Sequence, residues 1–151
     1  MAGTNPHFEN LDAWISAGVR ATVPMAQLPA VFGATYEKVA AAVADAGGRL
    51  VGPAYGEYFG MPSETVDVEI GFGIERALEV PGVTVTEHPP TRAVVATHVG
   101  PYDTLKDSYA ELMPWLELEK AELTDSMYEW YLSEPDADPA TTVTKLVFPL
   151  A

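Results

Sequence analysis

Cysteine is absent from this 151-residue chain. That excludes disulfides, thiol nucleophiles and cysteine-based metal sites, and it fits a cytoplasmic protein. Basic residues are scarce: 8 Lys and Arg stand against 22 Asp and Glu, a formal net charge of −14. Nucleic-acid binding needs a basic footprint that displaces counterions, so the chain is not expected to bind nucleic acid by itself. An anionic membrane would repel the same surface, whereas cationic ligands would be attracted. Acidic charge also serves solubility alone, so a preference for cations has to rest on particular residues. No apolar run approaches the ~18 residues of a spanning helix. The opening MAGTNPHFENLDAW lacks the basic region and apolar core of a signal peptide. No Ser sits in a nucleophile elbow, and no phosphate loop is present. His7, His88 and His98 lack ligand spacing, so neither a metal nor a cofactor is expected. His98, beside a Gly-Pro break, reads as structural or rim.

What is present is a globular balance, 48% apolar and 20% charged, at a length that suits one domain. Shifting the chain by 73 residues aligns its two halves without a gap: Tyr36 falls on Tyr109, Leu50 on Leu123, Tyr55 on Tyr128, Tyr58 on Tyr131 and Pro62 on Pro135. Beyond a longer loop, SEPDADPATT, Ile70 falls opposite Leu146 and Phe72 opposite Phe148. The repeats cover about residues 17–76 and 90–151.

Each half reads as strand, helix, strand, strand. In the first, VRATV (19–23) is β-branched. Pro29 suits a first helical turn, and Phe32, Tyr36, Val39 and Val43 recur at helical spacing until Gly47 and Gly48 end the run. Residues 52–60 and 65–74 are strand candidates, and GVTVTEH (82–88) is a connecting one. In the second, RAVVATH (92–98) precedes Gly100-Pro101. Asp103 is a candidate N-cap, and Leu105, Tyr109, Leu112 and Leu116 form a helical face that Pro114 should kink or split. SMYEWYL (126–132) and TTVTKLVF (141–148) close the half. The segment before Ala17 has no copy. The expected fold is α+β: a duplicated βαββ module forming one antiparallel sheet, two long helices on one face, and a cleft at the junction.

A site is sought where the halves differ. Alternation along a strand puts Glu129 and Tyr131 on one face, Tyr128 and Trp130 on the other. The partners of Glu129 and Tyr131 are Gly56 and Tyr58, so one copy carries a carboxylate where the other has no side chain. A flat ligand could lie between Tyr58 and Tyr131 over Glu129, since aromatic faces attract delocalised cations. The alternative is a solvated Glu129 and two packing tyrosines. Asp67, Glu69, Glu134, Asp136 and Asp138 read as exposed charge, and Trp115 and Trp130 as packing.

HVGPYDTL (98–105), SYAELMPWL (108–116), MYEWYLSEP (127–135) and TTVTKLVFPL (141–150) together resemble the GyrI-like family, effector-binding domains also fused to AraC-type and MerR-type regulators. VPMAQLPAVFGATYEKV resembles the weaker first module, so the likeness spans residues 17–151. It implies the same architecture and a central cleft for lipophilic, often cationic compounds. The family's acidic residue maps onto Glu129 and the tyrosine of its Gly-Pro-Tyr-Asp motif onto Tyr102. Two departures are Pro114 and the Glu119-Lys120-Ala121 stretch, where a glycine is expected after the helix. The ~16 residues before the first repeat are too few for a helix-turn-helix, so a stand-alone member is expected. The leading expectation is a binding protein for flat lipophilic cations, with Glu129, Tyr131, Tyr58, Tyr102 and Gly56 as ligand contacts. The resemblance also permits a hydrolase of cyclopropane-bearing compounds, with Glu129 as base and Tyr131 or Tyr102 as donor. A third option is a protein-interaction module such as a gyrase inhibitor or toxin modulator.

Overall fold

The computed structural model describes residues 4–60, 63–133 and 138–151, the side chains of Tyr102 and Pro139 excepted. The match of Pro62 to Pro135, and the charges of Glu134 and Asp136, fall outside the described residues. In chain order the elements are β1 (His7–Leu11), β2 (Trp14–Pro24), α1 (Leu28–Asp45), β3 (Leu50–Phe59), β4 (Thr65–Ile74), β5 (Thr84–His88), β6 (Thr91–Val99), α2 (Leu105–Leu118), β7 (Ser126–Tyr131) and β8 (Val143–Pro149). The strand pairs are antiparallel, and the class is α+β. The chain forms two compact units, residues 12–90 and residues 1–11 with 91–151.

In the unit of residues 12–90 the strands lie in the order β3-β4-β2-β5. Helix α1 has Pro29 in its first turn, where a missing N–H leaves no helical bond unmade. Val39 and Val43, one turn apart, are fully buried against Ala17, Ile74 and Val80. Phe32 and Tyr36 of the same stripe cover Val66, Val68 and Ile70. Each buried valine contributes on the order of 1.5–3 kcal/mol.

In the other unit the order is β1-β6-β8-β7. Leu112 and Leu116 of α2 pack on Val94, Ala96, Leu146 and Phe148. Pro114 does not split α2, which runs unbroken from Leu105 to Leu118. The proline is exposed, while Leu112 and Leu116 on either side are buried and hold the helix on the sheet despite the lost hydrogen bond. Asp103 is not the N-cap. It lies in a 3₁₀ turn, Tyr102–Thr104, and the cap position falls to Thr104, whose hydroxyl donates to the Pro101 carbonyl at 2.8 Å. The stretch before residue 17 also carries unforeseen structure. β1 pairs with β6, Phe8 packs 5.5 Å from the Trp115 ring, and Arg92 lies 4.8 Å over the Phe8 ring.

A buried carboxylate between two tyrosines

β7 alternates as its sequence requires. Glu129 lies opposite Leu146 of β8, a residue of the core beneath α2, so Met127, Glu129 and Tyr131 face that helix. Glu129 is only 8% exposed. Tyr131, two residues along, donates its hydroxyl to Glu129 Oε1 at 2.7 Å. Tyr109, reaching down from α2, donates to Oε2 at 2.5 Å and stands 3.6 Å from Met127 Sδ. A buried carboxylate is costly unless hydrogen-bonded, and phenols on two different elements meet that demand. Phenols are neutral, so they orient the charge without cancelling it.

The end of α2 nearest this group is fastened to the sheet. His98 Nδ1 lies 2.6 Å from Ser108 Oγ, and Nε2 lies 2.9 Å from the Pro101 carbonyl. A carbonyl can only accept, so in the neutral ring Nε2 carries the hydrogen and Ser108 donates to Nδ1. Ser108 is next to Tyr109, so this bond helps set where the tyrosine reaches. Thr142 ties the same turn to the start of β8 by donating to the Gly100 carbonyl and accepting from Gly100 N.

The structure thus brings Glu129 and Tyr131 together and adds Tyr109, which sequence reading had placed only on a packing face. The signal was available: Tyr109 is 73 residues from Tyr36. Tyr36 reaches from α1 to the Tyr55 carbonyl at 3.3 Å. One helix tyrosine meets a backbone carbonyl beside Gly56, the other a carboxylate at the corresponding residue. Gly56 and Tyr58 lie on β3, in the unit of residues 12–90. Gly56 is buried opposite Ile70, and Tyr58 packs against the Val66, Val68 and Ile70 cluster. The Tyr102 side chain is outside the described residues.

Glu69 departs from the expectation of exposed charge. It is not solvated but 8% exposed, and Tyr55, fully buried, donates to its Oε2 at 2.6 Å. Burial first, then the neighbouring Glu69 charge, drives the Tyr55 hydroxyl far above the ordinary phenol range, so it stays a donor. Asp67 instead pairs with Arg20 through two parallel hydrogen bonds of 3.0 and 2.8 Å, and those bonds hold its carboxyl below the usual range. Among the described residues no three His, Asp or Glu side chains are grouped to hold a metal ion, and no helix is long and apolar enough to cross a membrane.

An antiparallel α+β scaffold with an enclosed, hydrogen-bonded carboxylate is suited to holding a small molecule. A family model described as the GyrI-like small molecule binding domain matches residues 4–151, and the chain belongs to that family. Its fold is similar to the EcmrR C-terminal domain (24% identity, TM-score 0.81, 97% of each chain covered). It is also similar to SAV2435 bound to tetraphenylphosphonium (11% identity, TM-score 0.72, covering 97% of this chain and 94% of that one). A third likeness is to a hydrolase encoded by lin2189 from Listeria innocua (15% identity, TM-score 0.69, covering 99% and 93%). No curated protein matches the sequence.

Proposed function

We propose that this small-molecule-binding domain takes lipophilic cations, flat ones among them, with Glu129 supplying the charge and Tyr131 an aromatic wall. The observation that carries the reading is the buried Glu129 carboxylate held by two neutral donors. Affinity would come chiefly from apolar burial, about 25 cal/mol per Å² before entropy losses, and the carboxylate would select for positive charge. That a protein of similar fold is seen with tetraphenylphosphonium, a lipophilic cation, supports the same class. Tyr58, Gly56 and Tyr102 are assigned to ligand contact on the repeat and the family resemblance alone.

Calorimetric titration of tetraphenylphosphonium and of neutral triphenylphosphine oxide into wild type and Glu129→Gln tests this. The substitution keeps shape and hydrogen-bonding reach but removes the charge. It should weaken the cation by about 1–3 kcal/mol and leave the oxide unchanged. Equal cation affinity in both proteins would overturn the reading.

The two phenols also favour a second reading, hydrolysis of a strained electrophile such as a cyclopropane-bearing compound. Glu129 would take a proton from water while a tyrosine donates to the substrate oxygen. Glu129→Gln would then abolish turnover and spare substrate binding.

A further inference from the structure

The unit of residues 12–90 has a cleft of about 410 Å³ lined by its own residues, within the range of small-molecule pockets. Its origin is a local failure of strand pairing. The β3–β4 register shifts between Leu50 and Ala54, which leaves the ends of the two strands irregular. Gly52 sits there at φ +76, and a Cβ on Gly73 would meet the Gly52 carbonyl oxygen at 2.0 Å. Two bare backbones therefore approach where side chains would otherwise fill the space.

One wall is aromatic. Trp14 and His88 stack at 4.3 Å with 14° between their planes. His88 Nε2 is held 2.8 Å from Ser16 Oγ, and Trp14 rests edge-on against buried Tyr55 at 5.5 Å. Burial pushes the His88 imidazole below its ordinary range, so at neutral pH this wall carries no positive charge. The rest is apolar surface from Ile15, Val51 and Ile74, with Val51 56% exposed, and two carboxylates, Glu75 and Glu87. Neither carboxylate forms an ion pair among the described residues.

We infer that this cleft is a second binding site, for a flat aromatic cation that stacks at the Trp14–His88 wall and sets its charged end toward Glu75 and Glu87. A planar aromatic body uses the stacked wall and the apolar surface. A cationic end meets two carboxylates that form no ion pair among the described residues. The site stands on its own residues and does not depend on the reading of Glu129.

The probes are naphthalene-2-carboxamidine and its neutral counterpart naphthalene-2-carboxamide, titrated into the whole chain and followed by calorimetry and by ¹H–¹⁵N spectra. The Trp14 indole resonance is assigned with Trp14→Phe, whose thermal midpoint is checked in parallel. The amidine should shift the Trp14 indole and bind tighter than the amide by about two- to thirtyfold, the summed value of two exposed charge pairs. In Glu75→Gln/Glu87→Gln that ratio should fall to near one, and Glu129→Gln should leave it intact. Equal binding of the two probes, an unmoved Trp14 indole, or a ratio untouched by the double substitution would each overturn the inference. Loss of the amidine effect in Glu129→Gln alone would assign the binding to the first site and overturn it too.

Discussion

Gly47 and Lys120 occupy the same left-handed position after their helices, at φ +83 and +53. In both cases the next residue's N–H returns five residues back: Gly48 to Val43 at 2.8 Å, Ala121 to Leu116 at 3.2 Å. The two residues are 73 apart, the offset at which the halves align. One end uses glycine, which adopts this backbone freely; the other uses lysine, whose Cβ is crowded there.

Lys120→Gly should therefore raise stability by about 0.5–1 kcal/mol, strain relief partly offset by the freer unfolded chain. Gly47→Ala should lower it by about 1 kcal/mol. Urea denaturation midpoints at unchanged slope measure both. A Lys120→Gly midpoint at or below wild type would contradict the shared cap.

Tyr109→Phe removes a phenol donor from Glu129. Hydrogen bonds to charged groups are worth about 1.5–3 kcal/mol, and a buried acceptor is left short. Stability should drop by that order, and cation affinity should change less than in Glu129→Gln because the charge remains. A Tyr109→Phe protein as stable as wild type would mean the bond contributes nothing.

Thr144, fully buried on β8, has no hydrogen-bond partner for Oγ1 among the described residues. Thr144→Val keeps the branched shape and removes the stranded hydroxyl. It should be neutral or stabilising, by up to about 1–3 kcal/mol. Marked destabilisation would show that the hydroxyl is bonded, for instance to an internal water.

His88 gives a pH dependence with a definite sign. Its folded pKa lies below the ordinary imidazole value of 6.5 because the half-buried ring resists charging. As pH falls through 6.5 the unfolded chain gains a proton that the folded chain refuses, so stability declines until the folded pKa is passed. His88→Phe keeps a ring against Trp14 and removes the titration. Comparing thermal midpoints from pH 7.5 down to 5, wild type should lose more than the variant. Parallel curves would rule out this contribution.

The sequence was most readable where local pattern and burial coincide. The 3.6-residue spacing of Phe32, Tyr36, Val39 and Val43 put α1 in place, and the alternation in TVDVEIGFGI set β4 at residues 65–74. The same alternation paired Glu129 with Tyr131. It could not tell which face of a strand is covered, so Glu69 was read as solvated when the face it shares with Tyr55 is enclosed. β1 was missed because HFENL has little pattern of its own and is a strand only by pairing with β6. Tyr109 was hidden by belonging to an apolar stripe: a tyrosine's ring packs like a leucine, and only its partner shows what the hydroxyl is for.

The donors that hold Glu129 come from α2 and from β7, and that division ties the carboxylate to the mobility of a whole helix. If a guest binds at Glu129 as proposed, one that leaves both hydroxyls in place and binds only with α2 docked adds its binding energy to that docking. One that pulls the carboxylate away from Tyr109 withdraws a fastening from it. By reciprocity, whatever loosens α2 must alter the guest's affinity by the same factor. Amide exchange along α2 would then report which kind of guest has arrived.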